Sequence, residues 1–271
     1  MRIVRFRDGE SIHWGVLQGE DVFHMPDAPF WAGGTKEYVG ALDSVQLLAP
    51  VDPAKIVCVG MNYAKHITER DPNRKIPTEP VLFMKPQTAL IGNGEAIRLA
   101  HPDHENHHEA ELVVVIGRTA RFVNEDDALD YVLGYTCGND VSDRTLQAQD
   151  GQFVRAKGFD TYAPMGPVLQ TDLDPSNLAI SCTVNGETRQ QSTTSTMIWS
   201  VPQLISFISG VMTLEPGDVI MTGTPEGVGP LNHGDTVAVS IEKIGTLENH
   251  VRFLHDETAI PLGPKGPGGG A

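Results

Sequence analysis

The chain has 271 residues, with 35 acidic side chains against 20 basic ones and a formal net charge of −15. This length accommodates one large domain with an appendage, or two domains. The acidic balance argues against a nucleic-acid-binding protein, which would carry a basic patch. No apolar run reaches membrane-spanning length and the first residues lack the pattern of a secretory signal, so we expect a soluble, cytoplasmic protein.

Three cysteines, Cys58, Cys137 and Cys182, lie in apolar segments with β-strand character. Their spacing shows none of the pairing that a disulfide framework has. We therefore predict three buried, reduced thiols that pack as small apolar side chains in a reducing compartment.

The first 50 residues predict a small β-rich domain. Residues 1–6 alternate between apolar and polar types, and residues 12–17 form a second apolar stretch after an Asp-Gly turn. A proline-containing run at residues 49–53 separates this unit from the rest of the chain. The predicted domains are 1–50 and 54–255, followed by a flexible Gly- and Pro-rich tail at 256–271.

The remainder predicts a mainly β, mixed α+β fold. Helical periodicity is weak at residues 126–133 and 201–212, although Pro202 stands where a helix start tolerates proline. Many short strands, Gly/Pro turns and few helices are typical of a mainly β domain. The predicted strands are 55–60, 81–84, 112–116, 179–184, 218–222 and 236–241.

Two glutamates one residue apart are the most informative feature of the chain. Residues 107–117 run into a β-branched stretch typical of a strand, and alternate residues of a strand share a face. Glu109 and Glu111 should therefore project side by side, and they would repel each other unless a cation lay between them. Asp140, which ends another apolar segment, adds a third carboxylate, a set that suits Mg²⁺ or Mn²⁺. By itself, the Glu-x-Glu pair is better explained by ordinary acids at a solvated strand edge.

A histidine and a glutamate follow the first strand of the main domain. If residues 62–69 are helical, His66 and Glu69 are i,i+3 neighbours and can hydrogen-bond. A carboxylate raises the basicity of an imidazole and fixes its tautomer, as a general base requires. On local evidence alone, a surface helix with a weak ion pair is the favoured interpretation.

One lysine and one glycine-rich loop extend the candidate site. Lys157 near a carboxylate–metal cluster could stabilise an enolate or hold a substrate carboxylate, although most lysines are solvated. Residues 221–229 follow a strand and offer backbone N–H groups and a threonine hydroxyl to an anionic oxygen, although a tight turn explains them equally well. The loop lacks the lysine and the spacing of a phosphate-binding loop, so we exclude nucleotide binding.

Four histidines precede the glutamate pair. The imidazoles could ligate a transition metal, with adventitious Ni²⁺ or Zn²⁺ binding as one outcome. We favour a solvent-exposed loop in which only His107 or His108 lies near the cation. The four residues are His101, His104, His107 and His108.

Taken together, these segments resemble the fumarylacetoacetate hydrolase family from about Lys55 to about Val251. The resemblance implies a β-roll catalytic domain, usually dimeric, with a smaller N-terminal domain. Six separated motifs carry it in order: Val59-Gly60-Met61-Asn62-Tyr63-Ala64-Lys65-His66, Phe83-Met84-Lys85-Pro86-Gln87-Thr88-Ala89, Glu109-Ala110-Glu111-Leu112, Gly138-Asn139-Asp140-Val141-Ser142-Asp143-Arg144, Lys157-Gly158-Phe159-Asp160-Thr161, and Thr222-Gly223-Thr224-Pro225-Glu226-Gly227-Val228-Gly229.

The resemblance also implies roles for individual residues. It places Mg²⁺ or Mn²⁺ on Glu109, Glu111 and Asp140, and it makes His66 and Glu69 a water-activating dyad on a mobile lid. The other matching positions are Lys157 and Thr161 flanking the metal, Gln147 contacting substrate, and Thr224 at the oxyanion position.

The expected function is cleavage of a C–C bond in an acylpyruvate-type 2-oxoacid through a metal-stabilised enolate. Residues 107–112 look like the acylpyruvate hydrolase and oxaloacetate decarboxylase branch. Residues 152–161 look like the 2-hydroxyhepta-2,4-diene-1,7-dioate isomerase branch, so an isomerase or a decarboxylase at the same site is an alternative. A metal-dependent binding protein without turnover is a third, but Lys157, Gln147 and Thr224 argue against it. The expected partners are a small-molecule 2-oxoacid and a second copy of the chain.

Overall fold

The computed structural model describes residues 1–25, 37–69 and 71–254, and short β-strands dominate it, which confirms the mainly β prediction. The predicted tail at 256–271 lies outside the described residues.

The strands are β1 (Arg2–Asp8), β2 (Ser11–Gln18), β3 (Asp21–Met25), β4 (Glu37–Ala41), β5 (Gln46–Leu48), β6 (Ile56–Gly60), β7 (Val81–Lys85), β8 (Leu90–Ile91), β9 (Ala96–Leu99), β10 (Asn106–His108), β11 (Ala110–Ile116), β12 (Val132–Asn139), β13 (Ser142–Asp143), β14 (Ala163–Gln170), β15 (Ala179–Val184), β16 (Glu187–Thr193), β17 (Val219–Met221), β18 (Gly229–Pro230), β19 (Thr236–Ile241) and β20 (Gly245–Phe253). The helices are α1 (Ala64–Thr68), α2 (Arg144–Asp150), α3 (Phe153–Lys157) and α4 (Val201–Val211), with 3-10 turns at Leu42–Ser44, Gln87–Ala89, Glu125–Tyr131 and Thr194–Thr196.

Within this part of the chain, the strands form three sheets. The largest runs in the order β4-β3-β2-β1-β14-β12-β11-β17-β6-β7, with β5 beside β1 and β8 beside β14. A second sheet has the order β16-β15-β19-β20-β9, and a small third sheet has the order β13-β10-β18. In the main sheet, β12, β11, β17 and β6 are neighbours although they are distant in sequence. The sequence motifs that flank these strands therefore lie close together.

The N-terminal strands extend the main sheet. Arg2 and Ile3 of β1 pair with Gln170 and Leu169 of β14 in antiparallel register. Tight turns join β1, β2 and β3 into a meander, and Gly9 takes the positive φ of 57° that the first turn requires. The predicted unit at residues 1–50 is thus continuous with the sheet that carries the later motifs.

Strand β11 lies in the middle of the main sheet and is covered on both faces. Leu112, Val114 and Ile116 pack in one apolar cluster with α4 and the second sheet, whereas Val113 and Val115 pack in another. A strand that is buried on both faces reads as an uninterrupted apolar run, as this one does. The candidate site lies at the N-terminal end of this apolar run, where Glu109 and Glu111 stand.

The two weak helical patterns had different outcomes. The pattern at 201–212 corresponds to α4, which Ser200 and Gln203 begin with a capping box. The pattern at 126–133 corresponds in part to the 3-10 helix Glu125–Tyr131, but its last two residues belong to β12, which starts at Val132. Val132 pairs with Ile116 of β11, so the sheet ladder takes the backbone groups that a helix would have used.

The three cysteines are buried and unpaired, as predicted from their spacing. Burial raises the pKa of the Cys137 and Cys182 thiols to about 12. Among the described helices, none combines the length and apolar character that crossing a bilayer requires.

Candidate active site

The carboxylate cluster, defined as Glu109, Glu111 and Asp140, follows from the register of two antiparallel strands. β11 begins directly after Glu109 and β12 ends directly before Asp140, because Ala110 pairs with Asn139. The Asp140 N–H donates to the carbonyl oxygen of Glu109 at 2.9 Å. One ligand oxygen from each side chain lies within 4.8 Å of the others, and all three residues are buried. The interpretation as acids on a solvated strand edge is therefore wrong.

A buried lysine and a half-buried arginine contact this cluster. The Lys157 ammonium donates to Glu109 Oε2 at 2.8 Å and to Asp140 Oδ2 at 2.6 Å, and Arg144 donates to Glu109 Oε1. Burial would raise the pKa of Glu109, but Lys157 and then Arg144 outweigh it and hold that pKa well below its usual range. Burial, followed by the Asp140 and Glu109 carboxylates, raises the pKa of Glu111 well above its usual range. An ionised Glu111 therefore requires a further positive charge.

These residues fit a hard divalent cation. The donor set consists of oxygen atoms, which suits hard rather than soft metals. Asp140 Oδ1 is buried and accepts no hydrogen bond, and Glu111 Oε2 accepts one from the Gly223 N–H at 2.8 Å. A dication here would supply the charge that Glu111 requires and a partner for Asp140 Oδ1.

Lys85 is a buried cation to which the sequence analysis assigned no role, although it belongs to the second motif. Its Nζ lies 2.7 Å from Asp140 Oδ1, and it donates hydrogen bonds to the carbonyl oxygens of Val141, Lys157 and Tyr162, at 3.0, 2.6 and 2.7 Å. The ammonium therefore neutralises Asp140 through space while it joins three backbone segments. A lysine at the end of an apolar strand, directly before a proline, is the only sequence signal for this role.

Replacing Lys85 with methionine should lower the free energy of unfolding by about 3–5 kcal/mol, because it removes one of the two ammonium groups beside the buried Asp140 carboxylate and leaves three carbonyl oxygens without this donor. Urea unfolding in EDTA measures this change. The exposed pair of Lys243 and Glu242, 3.9 Å apart, provides the control, and Lys243→Gln should cost less than about 1 kcal/mol. Equal effects of the two substitutions would contradict this role for Lys85.

His66 and Glu69 form the predicted contact at the end of α1. His66 Nδ1 lies 2.6 Å from Glu69 Oε1, and Glu69 Oε2 accepts a hydrogen bond from the Gly227 N–H at 2.8 Å. The Asn62 side chain, just before this helix, donates to the Thr222 carbonyl oxygen at 2.7 Å. The glycine-rich loop thus holds both the dyad carboxylate and the segment that leads into the helix.

A cavity of about 340 Å³ brings most of the predicted residues together. Arg74 and Arg144 line it as well, so cationic groups face the carboxylate cluster from several sides. Thr161 lies elsewhere, where its hydroxyl accepts a hydrogen bond from the Arg98 N–H at 2.8 Å. The predicted residues that line the cavity are His66, Glu109, Glu111, Gln147, Lys157 and Thr224.

Gln190 is a buried side chain that the sequence analysis missed. It donates to Thr224 Oγ1 at 2.8 Å, and it accepts a hydrogen bond from the Ala110 N–H at 3.0 Å. Because the Thr224 oxygen accepts this hydrogen bond, its own hydrogen can be donated to a ligand. Gln190 lies in the polar strand β16, where its sequence neighbours are mostly exposed, so no pattern distinguishes it.

The prediction of an exposed loop is wrong for His107 and His108, whereas His101 and His104 do lie in a partly exposed turn. His107 and His108 are buried in β10, with His107 Nε2 2.5 Å from Glu105 Oε1 and His108 Nδ1 3.1 Å from Gln190 Oε1. Burial lowers the pKa of His108. Neither side chain lines the cavity, because β10 pairs with β13 and β18 and orders this segment as part of a sheet.

Residues 55–252 match the family model described as fumarylacetoacetate (FAA) hydrolase C-terminal. The chain belongs to the fumarylacetoacetate hydrolase family. Residues 1–50 match a second model, described as Rv2993c-like, N-terminal. The first match includes every predicted site residue, so the carboxylate cluster and the dyad lie in the part of the chain that defines this enzyme family.

Relatives in this family have different activities in their names. A 2-hydroxyhepta-2,4-diene-1,7-dioate isomerase from Mycobacterium marinum is 42% identical with a TM-score of 0.85, and the match covers 94% of this chain and 100% of that one. A maleylpyruvate hydrolase from Sphingobium sp. SYK-6, solved with manganese(II) and pyruvate, is 31% identical with a TM-score of 0.79 over 93% and 99% of the two chains. The mitochondrial oxaloacetate tautomerase FAHD1 of Arabidopsis thaliana is 46% identical over 72% of this chain and 89% of its own.

Proposed function

We propose that this chain is a divalent-metal-dependent enzyme that cleaves a C–C bond in an acylpyruvate-type 2-oxoacid. The observation that carries the proposal is that His66, which Glu69 orients, lines the same cavity as Glu109 and Glu111. A base, its orienting carboxylate and a cation-binding cluster at one cavity are what hydrolytic cleavage requires. Enolate formation alone does not require the dyad.

The carboxylate cluster would hold Mg²⁺ or Mn²⁺. A cation bound by Glu109, Glu111 and Asp140 would act as a Lewis acid that polarises the 2-oxo group and offsets the charge of an enolate. The manganese(II) and pyruvate in the maleylpyruvate hydrolase structure support this choice of metal and of the bound fragment.

The dyad would activate water. Glu69 Oε1 accepts the Nδ1–H of His66, which leaves Nε2 to take a proton from a water molecule. The second oxygen of Glu69 is held by the Gly227 N–H, so the carboxylate keeps the imidazole in one orientation. The water then attacks the distal carbonyl carbon, the C–C bond breaks, and the pyruvyl carbon accepts the electron pair and later a proton.

The remaining polar groups of the cavity suit an anionic substrate. Lys157 places an ammonium beside Glu109 and Asp140, where it can stabilise an enolate oxygen. The Thr224 hydroxyl can donate to the oxygen that gains charge at the attacked carbonyl. Arg144 donates to Gln147 Oε1 at 2.8 Å and so presents the Gln147 amide N–H₂ for contact with substrate.

A turnover screen tests the reaction class. We expect Mg²⁺-dependent pyruvate release from acetylpyruvate or fumarylpyruvate. The isomerase and tautomerase relatives favour a second candidate, in which the same enolate forms and only a proton moves. Conversion of 2-hydroxyhepta-2,4-diene-1,7-dioate or of the oxaloacetate tautomers, without any pyruvate release from acylpyruvates, would support that candidate and contradict cleavage. Loss of CO₂ from oxaloacetate alone would indicate a decarboxylase.

Binding of a pyruvyl mimic should order the segment that follows the dyad. Residues 71–80 are rich in charge and proline and are mostly exposed, yet Arg74 reaches the cavity. A site that must admit substrate and then exclude water requires such a segment to close. We expect Mg²⁺ with oxalate to slow hydrogen exchange in peptides that cover residues 71–80. Peptides from β19 should exchange alike in both states, and equal exchange of residues 71–80 would argue against closure.

A further inference from the structure

Two histidines are held together by a tight turn outside the cavity. The His104 N–H donates to the His101 carbonyl oxygen at 3.2 Å, and Pro102 occupies the second position of this turn, where proline is favoured. The turn stacks the two imidazole rings with their centroids 4.2 Å apart and their planes at 29°. We name residues 101–104 the histidine turn.

A buried aspartate stands against the histidine turn. Asp143 is fully buried, and its Oδ1 accepts the Leu146 N–H at 3.0 Å as the N-cap of α2. Its Oδ2 lies 2.7 Å from His104 Nδ1. One ligand atom each of His101, His104 and Asp143 lies within 4.8 Å of the other two.

The surrounding structure holds these residues in place without any ligand. The buried side chain of Asn106 donates to the carbonyl oxygens of His101 and His104, at 3.4 and 3.3 Å. Tyr162 in turn donates to Asn106 Oδ1 at 2.7 Å. The His101 ring meets the edge of Phe159, with centroids 5.6 Å apart. The turn therefore need not be ordered when a ligand binds, which lowers the entropic cost of binding.

We propose that His101, His104 and Asp143 form a second metal site, which binds a transition-metal dication of the Zn²⁺ type. Two imidazoles and one carboxylate form a donor set that such metals prefer, with a further position open to water. This set differs from the oxygen-only carboxylate cluster, so the two sites should select different cations. The dication replaces the hydrogen that joins His104 Nδ1 and Asp143 Oδ2, and His104 then carries its proton on Nε2.

The position of this site connects it to the cavity. Asp143 caps the helix that begins with Arg144, and Arg144 donates to Glu109 Oε1 and to Gln147 Oε1. A cation on Asp143 would fix the start of this helix relative to the histidine turn. Occupancy should therefore stabilise the segment that carries two cavity-lining side chains, and this role does not depend on which reaction the enzyme performs.

Calorimetric titration with Zn²⁺ in excess Mg²⁺ tests the site, because Mg²⁺ competes for the carboxylate cluster and poorly for imidazoles. We expect one Zn²⁺ per chain, and at least about tenfold weaker binding in the double variant His101→Asn, His104→Gln. Asp143→Asn retains a good helix cap and should also weaken binding, so it serves if the double variant folds poorly. His250→Gln, at an exposed histidine of β20, is the matched control and should bind Zn²⁺ as the wild type does.

Copper(II) gives a second, spectroscopic readout. One equivalent of Cu²⁺ should show nitrogen hyperfine coupling in its electron paramagnetic resonance spectrum, and the double variant should lose it. Zn²⁺ should also raise the melting temperature of the wild type and not of the double variant. If the double variant keeps wild-type Zn²⁺ affinity and nitrogen coupling, or if His250→Gln loses them equally, the binding belongs to other histidines and the proposed site is wrong.

Discussion

Replacing Glu111 with glutamine should weaken Mg²⁺ binding by at least about a hundredfold and remove catalysis, while the metal-free protein keeps its fold. Burial and the neighbouring carboxylates of Asp140 and Glu109 already raise the pKa of Glu111, so glutamine resembles the form that is favoured without a cation. The amide oxygen can still accept the Gly223 N–H. Glu109 is a less suitable target, because its loss would leave Lys157 without one of its buried partners.

Calorimetry with Mg²⁺, thermal unfolding in EDTA and pyruvate release together check this expectation. The unfolding temperature in EDTA should change by only a few degrees, whereas Mg²⁺ should stabilise the wild type and not the variant. Glu187→Gln is the matched control, because Glu187 is an exposed acid 3.0 Å from Arg189 and lies on a different sheet from β11 and β12. Unchanged Mg²⁺ affinity in Glu111→Gln would remove the carboxylate cluster as the cation site.

Replacing His66 with alanine should reduce acylpyruvate cleavage by about a hundredfold to ten-thousandfold, which is the typical cost of removing a general base. His66 lies in α1, 2.6 Å from Glu69, and the cation ligands lie on or next to β11 and β12, so Mg²⁺ affinity should not change. Oxaloacetate decarboxylation, if the enzyme performs it, should fall much less, because the cation and Lys157 suffice for its enolate.

The test compares the effect of His66→Ala on acylpyruvate cleavage with its effect on oxaloacetate decarboxylation. Lys65 is the preceding residue on the same short helix but points to solvent, with an 81% exposed side chain, so Lys65→Gln controls for damage to the helix. Pyruvate release from an acylpyruvate reports cleavage, and CO₂ release from oxaloacetate reports decarboxylation. Both rates are measured at saturating Mg²⁺. Full cleavage activity in His66→Ala would show that another group activates the water, and it would contradict the role of His66 as the general base.

Local sequence patterns determined several parts of the site. The alternation rule placed Glu109 and Glu111 on one side of a strand, and both do line the cavity. The i,i+3 spacing predicted the contact between His66 and Glu69, which the short helix α1 produces. These predictions rest on backbone geometry that extends over only a few residues, so sequence spacing is sufficient to make them.

Other features depended on pairing between distant segments. Asp140 joins the two glutamates because Ala110 pairs with Asn139, a register that no local pattern reveals. Likewise, the helical pattern at 126–133 ends at Tyr131, because Val132 pairs with Ile116 in the sheet. Strand register depends on which apolar faces can be buried together, and that choice is made over the whole core.

The buried polar residues show the same division most clearly. The sequence by itself determined which charged groups this chain must accommodate, and it marked the carboxylates, Lys157 and the dyad as candidates. Only the tertiary structure decided that Lys85 and Gln190 are buried, and that Asp143 meets the histidine turn. A lone polar side chain looks alike in sequence whether water or protein surrounds it, because its burial depends on partners that the fold brings from distant segments.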